Sequence, residues 1–173
     1  MLDWNLLITR ALINGLWLSG VLTVIMIISG RIALDMWVGD YPPDVRQKYG
    51  PMSPRAARAR PYIAVAVFAA VLAIPILGLV ALRSELGSVP FLAALVYGGV
   101  AVFVFNLYDL LILDWLLFCT LQPRAMVLPG TEGMAGYRDY RFHFIGFLKG
   151  LGFCIAGGLV ISVLWILVQA LIA

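Results

Sequence analysis

Four apolar stretches dominate this chain, and each is long enough to cross a lipid bilayer. They run over residues 6–30, 62–82, 90–121 and 144–172. A crossing takes about 20 mostly apolar residues wound into a helix, because lipid offers no partner to an unpaired backbone N–H or C=O. The expected fold is therefore all-α: a polytopic membrane protein of four transmembrane helices, with residues 1–173 forming a single integral domain. With 63% hydrophobic and 12% charged residues, the composition suits solvation by lipid rather than by water.

Length raises one difficulty. At 1.5 Å per residue the third stretch would be about 48 Å long, against about 30 Å of hydrocarbon. It must tilt, break or project, and projection toward the cytoplasm is expected. The first stretch has room to continue as a helix to Trp37. Pro75 leaves the carbonyl of Val71 without its helical partner and predicts a kink in the second stretch.

Charge orients the four crossings. Arg31, Arg46, Lys48, Arg55, Arg58 and Arg60 lie at or beyond the end of the first stretch and before the second. Arg124, Arg138, Arg141 and Lys149 lie between the third and the early part of the fourth. Only Arg10 and Arg83 fall toward the other side. The positive-inside rule then makes the loops 38–61 and 122–143 cytoplasmic and both termini extracytoplasmic, in the cell membrane. The first residues lack a basic region ahead of the apolar run, so no cleavable signal peptide is expected.

On the fourth stretch Gly146, Gly150, Cys154, Gly158 and Ser162 recur at every fourth position. Small residues at this spacing make a groove into which another helix backbone fits, the commonest basis for tight packing in lipid. The groove is expected to hold another helix of the bundle, a second copy of the chain or a membrane-protein partner. Cys119 and Cys154 read as small packing residues, since no C-x-x-C spacing is present.

The polar residues that stand out lie late in the third stretch, in the run FNLYDLLILDWLLFCT. An ionisable group within a spanning helix is costly and by default suggests function. Asn106 and Asp109 are three apart and share a face. Asp109 is the deeper acid and the leading candidate. On an α-helix Asp114 lies about 140° around from Asp109, which argues against a paired carboxylate site. Its depth matches that of Lys149, so an Asp114–Lys149 ion pair is expected.

A second cluster, Arg138, Arg141 and His143 at the entrance to the fourth stretch, could form a basic collar for an anionic lipid headgroup. Arg10 and Asn14 sit one turn apart near the other end of the bundle, where Arg10 can reach the headgroups. One histidine and no Cys/His spacing leave no expectation of a metal or cofactor. A net charge of +3 gives none of nucleic acid.

Three functions fit. The first is a non-enzymatic subunit or scaffold that packs through its small-residue helix face. The second is an oligomeric transporter or channel lined by Asn106, Asp109 and Arg10. The third is a lipid-headgroup binding protein or enzyme at the inner interface, using Asp109, Asp114, Arg138, Arg141 and His143. No nucleophile or catalytic constellation is visible, and the subunit reading leads.

Overall fold

The computed structural model describes residues 2–172, and among these it contains helices and turns but no strand. Four helices are long and apolar enough to cross a membrane. They are α1 (Trp4–Ile32), α3 (Pro54–Leu86), α4 (Phe91–Tyr108) with its continuation Asp109–Leu121, and α5 (Tyr140–Leu171). A short α2 (Pro43–Tyr49) lies in the first loop. The loop after α1 also holds the 3₁₀ stretch Leu34–Asp40, and the loop before α5 holds two shorter ones, Arg124–Met126 and Ala135–Arg138.

Local chemistry explains most boundaries. Asp3 caps α1 by accepting from the Leu6 N–H, and Asp139 caps α5 by accepting from the Phe142 N–H. The helix α3 starts at Pro54, eight residues before the expected 62. Ser53 caps it and Pro54 occupies its first turn, where a missing N–H costs nothing. Buried Asp35 accepts from the Ser53 hydroxyl at 3.0 Å and anchors that cap to the 3₁₀ stretch. The first helix does not reach Trp37. It stops at Ala33, whose extended backbone turns the chain into Leu34–Asp40. The helix α3 runs unbroken through Pro61 and Pro75. Beside Pro75, the Asn14 side chain donates to the Ile74 carbonyl at 3.1 Å.

The most extensive packing is between α4 and α5, followed by α1 against α4 and α1 against α3. Small residues make it close. A Cβ on Gly158 would stand 3.0 Å from the Gly99 nitrogen and the Leu95 carbonyl of α4. Gly15 of α1 abuts Val104 and the Ala101 carbonyl in the same way. At Gly150 the space is filled by the Asn106 side chain, which donates to the Phe147 carbonyl at 3.2 Å. Cys154, Gly158 and Ser162 are buried. Gly146 is exposed and open, so the expected stripe begins one turn later, at Gly150.

One end of the bundle carries the start of α1, the end of α5 and the short α3–α4 turn; the other carries the two long loops. At the terminal end Arg10 pairs with Glu85 at 2.7 Å, a partner its expected reach to the headgroups did not include. At the loop end the two loops fold over the helices as a second apolar cluster around Tyr41, Val45, Phe118, Leu128 and Tyr137. The Asp44 carboxylate accepts from the Gly136 N–H at 3.0 Å and joins the two loops. The Tyr137 hydroxyl accepts from the Leu128 N–H at 2.9 Å. Burial is the main cause that raises the pKa of Tyr41, with the neighbouring Tyr137 adding to it, so its hydroxyl keeps its proton for the Met126 carbonyl at 3.0 Å.

The continuation of α4 is wound differently from the rest. Over the 13 residues Asp109–Leu121 the backbone follows the i→i+5 pattern of a π-helix. At its end the Gln122 N–H reaches the Leu117 carbonyl at 2.8 Å. The Thr120 hydroxyl likewise returns five residues to the Trp115 carbonyl, at 2.7 Å. A wider turn advances less per residue, so this stretch is shorter than the α-helical length expected for it.

Candidate functional site

The π-wound segment changes which side chains share a face. An i→i+5 helix takes more residues per turn than an α-helix, so residues i and i+5 stand closer around its axis than the roughly 140° that separates them on an α-helix. Asp109 and Asp114 are five apart. Contrary to the expectation from α-helical geometry, both line the same two cavities at the loop end.

The larger cavity has a volume of about 690 Å³ and lies between the loop ends of α1, α3, the π segment and α5, beneath the 3₁₀ stretch. Its size falls within the roughly 300–1,000 Å³ of small-molecule sites. Its walls are mainly apolar, with Leu22, Met26, Val67, Phe105 and Leu113 among them. Asp40, Asp109, Asp114 and His143 make one polar wall, and Arg31 adds a cation to the lining.

His143 organises that wall. It sits in the first turn of α5, where the Asp139 cap fixes the helix start. The rings of Phe118 and Phe142 pack on it with centroids 4.8 and 5.2 Å away. Its Nδ1 lies 2.9 Å from Asp114 Oδ1, with the imidazole side chain 5% exposed. Its Nε2 is buried and has no hydrogen-bond partner among the described residues. A carboxylate on Nδ1 fixes the ring's orientation and favours the tautomer that carries its proton there, in which Nε2 is the lone-pair acceptor. The ordinary fate of a buried polar atom is to be paired, and this one stands out in a residue that lines the cavity.

The expected Asp114–Lys149 pair does not form; Asp114 takes His143 instead. Lys149 is exposed and lines only the smaller cavity. Asp109 makes no hydrogen bond or ion pair among the described residues. Asn106, expected beside it as a ligand group, gives its amide to the α5 backbone and faces the smaller cavity. Arg138 and Arg141 are exposed and line neither cavity, so they do not join His143 in a basic collar around the site.

Asp40 was not among the candidates from sequence. Its segment carries no helical period and lies inside a loop, so nothing marked it as facing a cavity. Burial raises its pKa above the usual 3.8, Arg60 opposes this, Asp114 adds to it, and Arg46 opposes it again. Trp37 and Tyr41 of the same region also line the cavity. Among the described residues, no three His, Cys, Asp or Glu side chains converge as a metal site would require. No protein-family model, curated protein or solved structure matches this chain.

Proposed function

We propose that this protein is embedded in a membrane and holds a slim amphiphile in the loop-end cavity. The tail lies among the apolar walls, and a hydroxyl or ammonium head donates a hydrogen bond to His143 Nε2. The observation that carries this reading is His143, whose buried Nε2 has no partner among the described residues, in the polar wall of a cavity that is mainly apolar. Three carboxylates in that wall disfavour an anionic head.

The basic asymmetry of the loops supports placing this end at the cytoplasmic interface, with both termini outside. The end of the π segment then projects past the hydrocarbon toward the cytoplasm. The small-residue face of α5 is occupied by α4, so contact with a second copy or another membrane protein would fall to the outward face of α3, where Tyr62, Val65 and Phe68 are exposed.

The test is thermal unfolding of the protein in lipid nanodiscs with dodecanol, dodecylamine or dodecyl phosphate. The alcohol or the amine should raise Tm, and His143→Gln should weaken that effect at least tenfold in concentration. Dodecyl phosphate should do neither. A response to the phosphate alone would restore an anionic headgroup as the ligand, and no response to any of the three would favour the subunit reading.

A further inference from the structure

Behind the polar wall lies a second cavity of about 340 Å³, and Asp40, Asp109, Asp114 and His143 line both. On the far side the lining includes the Asn106 amide and the exposed Lys149. The four side chains thus form a partition between a mainly apolar chamber and a smaller vestibule of mixed lining.

Counter-charge on this partition is uneven. Asp114 has His143 at 2.9 Å. Asp40 feels Arg60 of α3 and Arg46 of α2. Arg31 of α1 lines the apolar chamber and Lys149 of α5 lines the vestibule, yet neither forms an ion pair with Asp109. Asp109 therefore lines both cavities with no ion-pair partner among the described residues. A carboxyl group in that position is neutralised either by a proton or by a cation that enters the site.

Resting on the amphiphile reading above, we infer that the partition is a cation–proton exchange site: an amphiphilic ammonium head displaces a proton from the Asp109–Asp114–His143 wall, and the proton leaves through the vestibule. The head donates an N–H to His143 Nε2 and sets its charge against Asp109. In the exchange the O–H bond of the protonated carboxyl breaks and its electron pair stays on the carboxylate. The proton passes to water beside Lys149, and the ammonium keeps all its own protons. The wall itself loses one positive charge and the bound head supplies one, so the net charge of wall and head together is unchanged, which is what a low-dielectric surrounding favours.

The experiment adds dodecylammonium to the protein in weakly buffered nanodiscs containing a pH indicator, with binding followed separately by Tm. This head stays protonated below about pH 9, as a lysine side chain does. Wild type should release close to one proton per bound head, and affinity should rise by up to about tenfold per pH unit across the exchange. Asp109→Asn should still bind dodecanol, bind the ammonium at least tenfold more weakly, and release no proton. Ammonium binding without proton release and without pH dependence would overturn the exchange. Binding of dodecanol but not of the ammonium would also overturn it while leaving the amphiphile reading intact. Failure of both to bind would remove the reading on which it rests.

Discussion

Asp114 and His143 meet across 2.9 Å, from the π-wound end of α4 to the first turn of α5. This pair decides how the loop end can act. It leaves Lys149 free of Asp114, orients the imidazole, and leaves Nε2 buried with no partner among the described residues.

Coupling should therefore be found between Asp114 and His143 and not between Asp114 and Lys149. In a double-mutant cycle on unfolding in detergent, Asp114→Asn with His143→Gln should show an interaction of about 1 kcal/mol or more, as contacting groups do. Asp114→Asn with Lys149→Gln should be additive within about 0.3–0.5 kcal/mol. A large second coupling would mean that the two helices pack in a different register.

Gly158→Leu should destabilise the α4–α5 contact or prevent folding, because the new side chain meets backbone rather than a movable side chain. Overpacking of this kind costs about 1–3 kcal/mol and sometimes more. Val160→Leu and Val163→Leu, at exposed positions, should leave Tm near wild type. Gly146→Leu should resemble these two, since its position is open.

Asp40→Asn should stabilise the protein, and the benefit should grow with pH. The folded-state pKa of Asp40 is raised, so its favourable contribution is complete below about pH 3.8 and is lost as pH rises through the folded value. The asparagine variant has no such loss. Its Tm should match wild type at the acid end and exceed it slightly at neutral pH, the effect being small because the residue is solvent-accessible. A difference that shrinks with rising pH would contradict the assignment.

Loop orientation is open to a labelling test. Single cysteines at Lys48 and Glu132, both exposed, should be shielded from an impermeant thiol reagent in whole cells, and one at Ser88 should react. The native Cys119 and Cys154 are buried and should give little background. Labelling at Lys48 or Glu132 from outside would reverse the topology.

The four long helices were legible because each is an apolar run of sufficient length, a property of consecutive residues alone. Caps and turn residues account for most of the remaining boundaries: the Ser53-Pro54 pair marks the true start of α3, although hydropathy alone placed it later. The small-residue spacing in α5 likewise pointed to close backbone contact, which occurs at Gly158. Asp109, Asp114 and His143 could be named as candidates because ionisable groups are conspicuous among apolar neighbours.

How these three relate lay beyond the sequence. The angle between Asp109 and Asp114 depends on whether the helix repeats every 3.6 residues or follows an i→i+5 ladder, and side-chain pattern does not distinguish the two. Matching depth made Lys149 a plausible partner for Asp114, yet depth says nothing of helix rotation, and rotation brought His143 there instead. Asp40 came to the cavity through a loop, where no periodicity predicts direction. Composition and spacing thus determined that the chain forms four long apolar helices with acids near one end. Only tertiary packing decided that those acids and one histidine form a single wall, because a shared site depends on distances between segments that the order of residues does not contain.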